Sequence, residues 1–206
     1  MALKHIRHHI RGILRLKNGT TRAGFTLVEL LVVTSILTIV TGLVLVNNNQ
    51  FGGKILLQNL AYDVALSVRQ AQVYGISVRQ FGAGNFGVAY GVHFEMSTPK
   101  AYDLFGDVNG NGLSDVGENV PPSPYDISRG YYIAKLCAPS GADSDTCTSV
   151  SRLDIVFKRP EPDAFIGANG ISGISNPLGS ARITLKSPRG DEANVVVEVT
   201  GQISVE

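Results

Sequence analysis

The chain has 206 residues, 44% of them hydrophobic, and a formal net charge of +1. That length accommodates one folded domain plus an anchoring segment and excludes two large domains. The charge is unevenly placed: residues 1–24 hold Lys4, Arg7, Arg11, Arg15, Lys17 and Arg22 with no acid, which leaves twelve basic against seventeen acidic residues, a net −5, for the remainder. A mildly acidic body is a poor ligand for nucleic-acid phosphates.

Residues 1–24 read as a basic leader. His5, His8 and His9 within it add cytoplasmic charge more simply than they build a metal site. Asn18-Gly19-Thr20 matches a glycosylation triplet but falls on the cytoplasmic side and is taken as chance. Residues 25–46, FTLVELLVVTSILTIVTGLVLV, carry a single charge, Glu29. At about 1.5 Å per residue such a helix crosses a hydrocarbon core of about 30 Å. The positive-inside tendency keeps the leader in the cytoplasm and sends the body across. A secretory signal would have a shorter apolar run ending in small residues, whereas this run ends in Asn47, Asn48, Asn49 and Gln50. A plain signal anchor leaves Glu29 without the partner that an acid in an apolar span demands.

Gly24-Phe25-Thr26-Leu27-Val28-Glu29 resembles the cleavage and methylation site of type IV prepilins and type II secretion pseudopilins. The resemblance implies cutting after Gly24 by a prepilin peptidase, N-methylation of the new terminus at Phe25, and a pairing of the Glu29 carboxylate with the Phe25 ammonium of a neighbouring subunit. Each charge alone is expensive in an apolar medium, and the two together offset much of that cost. The implied product is a single-pass protein of the cytoplasmic (inner) membrane with an extracytoplasmic C-terminal domain, assembled with other pilin or pseudopilin subunits into a filament.

Residues 47–53, NNNQFGG, are expected to weaken helix continuity. Helical period resumes over about residues 54–76, where Leu57, Leu60, Ala61, Val64, Val68 and Ala71 form one apolar stripe and Gly75 follows. The segment 47–79 is read as an amphipathic helix lying on a sheet, and it resembles the matching region of the pseudopilin H and minor pilin T group. Residues 80–206 form the globular, β-rich domain. Val92, Phe94 and Met96 alternate with polar neighbours, as do Leu153, Ile155 and Phe157; Ile183 and Leu185; Val195, Val197 and Val199; and Ile203 and Val205. These predict an antiparallel sheet with one covered face. Ser187-Pro188-Arg189-Gly190-Asp191 reads as a turn. The fold class is therefore α+β, the pilin fold that the resemblance implies.

Residues 107–118, DVNGNGLSDVGE, match a calcium loop almost position for position. Asp107, Asn109 and Asn111 occupy positions 1, 3 and 5, Gly112 the sharp turn at 6, the Leu113 carbonyl 7, Asp115 9 and Glu118 12. The expected ion is structural, ordering a loop too polar to pack alone. A double Asn-Gly turn without any ion is the alternative.

Cys137 and Cys147 are expected to form a disulfide around a turn containing Pro139, Ser140 and Gly141, because the anchor predicts an oxidising compartment. No enzyme is expected. After cleavage His93 is the one remaining histidine and reads as a surface or core residue. The Gly82-x-Gly84-x-x-Gly87 run lies between a helix and a strand, the wrong context for nucleotide binding, and is read as a loop. Two other functions compete with the filament subunit. A DNA-binding minor pilin is disfavoured because the tail 201–206 lacks Lys and Arg, although Arg152, Lys158, Arg159, Arg182, Lys186 and Arg189 are available to the folded body. The second is an anchored, non-polymerising calcium module.

Overall fold

The computed structural model describes residues 24–82, 84–140 and 147–206, with the backbone alone for residues 46–51. Leader residues 1–23, with their histidines and the Asn18 triplet, lie outside the described residues, as do residue 83 and residues 141–146. The chain divides into two compact units, Met1–Leu45 and Val46–Glu206.

Among the described residues one helix, α1 (Leu27–Ile76), is followed by eleven strands: β1 (Gln80–Phe81), β2 (Asn85–Phe86), β3 (Ala89–Glu95), β4 (Ala101–Asp107), β5 (Tyr125–Asp126), β6 (Tyr132–Cys137), β7 (Arg152–Phe157), β8 (Ala164–Ala168), β9 (Ser180–Lys186), β10 (Glu192–Glu198) and β11 (Ile203–Val205). They form a five-stranded sheet, β5-β4-β3-β7-β8, a four-stranded sheet, β11-β10-β9-β6, and the small ribbon β1-β2. All pairings are antiparallel. The α+β class expected from the sequence is what the structure has, with the body divided between two main sheets rather than one. The turn at 187–191 closes β9 onto β10 through hydrogen bonds from Ser187 N to Asp191 O (2.9 Å) and Gly190 N to Ser187 O (3.0 Å).

In the body unit the stripe Leu57, Ala61, Val64, Val68 and Ala71 is buried and joins Val92, Phe94, Leu104, Leu153, Ile155, Ile183, Leu185, Val195 and Val197 in one core. Small residues let the helix lie close to the strands. A Cβ added at Gly75 would sit 2.3 Å from the Phe157 carbonyl oxygen, so only glycine permits this approach. Gln72, also buried, donates to Pro162 O (2.8 Å) and Gly201 O (3.1 Å), and Arg69 donates to its amide oxygen. One helical side chain thereby touches the connection leaving β7 and the turn between β10 and β11.

Two local expectations change. Residues 47–53 do not interrupt α1: the backbone continues helical across Gly52 and Gly53. Helix propensity is a weak prior, and the packed turns from Leu57 onward outweigh it. The glycine-rich run after the helix is not all loop, because Asn85–Phe86 pairs back on Gln80–Phe81. Cys137 and Cys147 are disulfide-bonded, with Cα atoms 5.4 Å apart.

Candidate functional site

Two sites emerge, one at each compositional extreme of the chain. At the N-terminal end Gly24 and Phe25 are exposed and precede α1. Thr26 caps the helix: its Oγ1 accepts from the Glu29 backbone N–H (3.2 Å) and its carbonyl accepts from Leu30 N (3.1 Å). Thr26 and Glu29 thus hold the spacing of a capping box, which satisfies a helix-end donor that lipid could not. Sequence reasoning assigns Glu29 an intermolecular partner only, yet the Thr-x-x-Glu spacing is itself readable. The acid also suits the partial positive charge of the helix N-terminus.

Beyond it, Leu27–Leu45 is a 19-residue stretch long and apolar enough to cross a membrane, and none of it is buried. The hydroxyls of Thr34, Ser35 and Thr38 are satisfied within the helix. Thr34 Oγ1 donates to Leu31 O (3.0 Å), Ser35 Oγ to Val32 O (3.1 Å) and Thr38 Oγ1 to Thr34 O (2.7 Å). Hydroxyl back-bonding of this kind lets polar residues sit in an apolar medium without outside partners.

The second site is the loop 107–118, which leaves the end of β4. Asp107 and Glu118 are buried, while Asn109, Asn111 and Asp115 are exposed. Asp107 Oδ1 accepts from Asn111 N (3.0 Å) and Oδ2 from Gly112 N (2.9 Å). Asn109 Oδ1 accepts from Asn111 N (2.9 Å) and Asn111 Oδ1 from Leu113 N (2.7 Å). Short polar side chains at positions 1, 3 and 5 thus each fold the backbone over themselves. Gly112 has φ +74° and supplies the left-handed residue at position 6. Glu118 ties the two ends, accepting from Val108 N (2.9 Å) and Asp115 N (3.2 Å).

The Asp115 carboxylate is met by the amide groups of Asn109 (2.8 Å) and Asn111 (2.7 Å), both donating to Oδ2. These two hydrogen bonds hold its pKa below the ordinary carboxylate value. Hydrogen bonds tie Asp107, Asn109, Asn111, Asp115 and Glu118 to the loop or to one another, and the nitrogens of the two Asn side chains face Asp115. Among the described residues no three His, Cys, Asp or Glu side chains come together as a metal-binding group. Any cation held here would rely on amide and backbone oxygens as well.

Behind the loop lies a cluster that sequence reasoning misses. Asp154, on β7, is fully buried and accepts from His93 Nδ1 (2.8 Å), Arg152 Nε (2.8 Å) and Ser114 N (3.2 Å). Arg152 also donates to Ser114 O (2.9 Å). Burial alone would raise the Asp154 carboxyl, but the hydrogen bonds from His93 and Arg152 outweigh it and leave the pKa lowered. The Arg152 guanidinium is correspondingly raised, chiefly by its hydrogen bond to Asp154. His93, read from sequence as an ordinary surface or core residue, is one wall of this cluster. Arg152 and Asp154 stand two apart on one strand, the single sequence cue to the pair.

Two of the basic residues that the body might have offered to DNA are engaged at home. Arg152 is held by Asp154, and Lys186 Nζ lies 2.8 Å from Glu192 Oε1.

Residues 20–45 match the family model described as the prokaryotic N-terminal methylation motif. The match covers Gly24, Phe25, Glu29 and nearly all of the apolar stretch. No curated protein and no solved structure matches the chain.

Proposed function

From a chain that carries this methylation motif, and is type IV prepilin-like at that end, we propose a structural filament subunit, a minor pilin or pseudopilin of a type IV pilus or type II secretion pseudopilus. A prepilin peptidase cuts between Gly24 and Phe25 on the cytoplasmic side. Phe25 becomes the methylated terminus, and the apolar helix holds the subunit in the membrane until it joins neighbours, with the body on the extracytoplasmic side. The observation that supports this reading best is the position of Glu29: an acid in the first turn of a helix whose stretch Leu27–Leu45 is apolar and exposed, four residues from the amine that cleavage creates. An unpaired charge in such a span is costly, and a neighbour's ammonium removes the cost while setting register. The intact mass of the mature protein tests processing. It should begin at Phe25 and carry one extra methyl group; a mass that retains the leader contradicts the reading.

The loop 107–118 is proposed as a structural calcium site with Asp107, Asn109, Asn111, Leu113, Asp115 and Glu118 as its ligands. Support comes from the backbone, wrapped at positions 1, 3, 5 and 6 as such a loop requires. The ion would supply charge for Asp115 where the two Asn amides now do. Titration calorimetry of the full chain in detergent micelles should show binding in the range of about 10⁻⁴ to 10⁻³ M. Calcium should also raise the melting temperature of the wild type and not of Asp107→Ala. Absence of heat, or equal shifts in both proteins, removes calcium from the account.

A further inference from the structure

Ser114 makes no side-chain contribution to the loop's ligand set, yet its backbone is tied to β7. Its N–H donates to Asp154 Oδ1 (3.2 Å) and its carbonyl accepts from Arg152 (2.9 Å), across 40 and 38 residues of sequence. Asp154 is itself fixed, because Arg152 Nε binds its other oxygen and His93 Nδ1 binds the first. Glu95 Oε2 lies 3.9 Å from His93 Nε2.

A trans peptide bond makes this clamp directional. The Ser114 N–H and the Leu113 carbonyl belong to one rigid plane and point in opposite directions. Drawing the N–H toward Asp154 turns the Leu113 carbonyl away from it. The next plane behaves alike. The Ser114 carbonyl is drawn to Arg152, so the Asp115 N–H faces the other way, and there it meets Glu118 Oε2 (3.2 Å).

We propose that Asp154 and Arg152, backed by His93, are positioning residues of the loop: they lock the two peptide planes flanking Ser114, aiming the Leu113 carbonyl and seating Glu118 for a bound calcium ion. The inference rests on the calcium reading above. Outer partners of this kind orient the groups that touch an ion rather than touching it themselves. Arginine is suited to the task because its planar fork reaches a carboxylate and a carbonyl together, which the single ammonium of lysine cannot do.

The test uses the full chain in detergent micelles with calcium chloride. Arg152→Lys keeps the positive charge beside Asp154 and should weaken calcium binding about tenfold, the lower end of what outer-partner changes do. It should also speed hydrogen exchange at the Ser114 and Asp115 amides. Leu185→Val, a core change in the four-stranded sheet, should lower the melting temperature and leave the calcium Kd alone, separating positioning from general stability. If Arg152→Lys proves too unstable to purify, Asp154→Asn keeps the size of the side chain and should weaken binding in the same direction. Wild-type affinity in a folded variant, or unchanged exchange at both amides, overturns the proposal and leaves calcium binding standing. A wild-type chain that does not bind calcium overturns both.

Discussion

The stretch Leu27–Leu45 and the loop 107–118 are opposite failures of self-sufficiency. The first has little that is polar to pair, and among the described residues its large side chains are exposed throughout. The second has almost nothing apolar, yet its acids and amides are joined by hydrogen bonds to one another, to its backbone and to β7. Polar groups can be satisfied inside one molecule because hydrogen bonds are directional and local. Apolar surface of this extent is satisfied only by a surrounding medium or by other chains. The apolar stretch therefore needs a surrounding medium or other chains, whereas the loop is satisfied by the body it belongs to.

If that contrast is right, damage to the span should be visible in assembly and damage to the loop in unfolding. The largest effect is expected from Glu29→Val, which should abolish incorporation into filaments while the body melts as before; normal incorporation would count heavily against the proposed role of Glu29. Next comes Glu118→Ala. It strips the Val108 and Asp115 N–H groups of a charged acceptor, and at about 1.5–3 kcal/mol per such bond it should lower unfolding free energy by several kcal/mol in urea titration. Gly112→Ala should cost at least about 1–2 kcal/mol for its left-handed backbone. The added Cβ would also sit 2.5 Å from Ser172 Oγ.

Acid should loosen the loop. The Asp115 pKa is lowered on folding, so its stabilising contribution is present above the unfolded value and is lost as pH falls through the folded, lower value. Asn109→Ala should move the Asp115 carboxyl resonance to titrate at higher pH, as seen by NMR. The smallest effect is expected from Leu37→Ala, an exposed site on the span, which should change the unfolding of the body by no more than about 0.5 kcal/mol.

How far the sequence reaches obeys the same division. The span, its acid and the methylation motif are legible because they are contiguous. So are the strands whose alternation exposes one face, such as Val92 and Phe94 or Ile183 and Leu185. The strand β8, with Ile166, Gly167 and Ala168 buried in a row, has no alternation to read. The loop is legible because six positions fall within twelve residues. Its support is not: Asp154 looks outward-facing in an alternating strand, and only the pairing of β3 with β7 sets it opposite His93. Long-range partnership is set by register, and register cannot be read from either strand alone. The helix at Gly52 and Gly53 shows the converse, a local preference overridden by the packing of the turns C-terminal to it.

Gln72 gives the body a mechanical property. Its amide is bonded to Pro162 on one side and Gly201 on the other, and the Ala164 N–H reaches Val199 O nearby (2.8 Å). The five-stranded and four-stranded sheets are thus bolted together at one point on the helix. Opening one should release the other, so the C-terminal strand and β8 are expected to exchange their amide protons as a single cooperative unit.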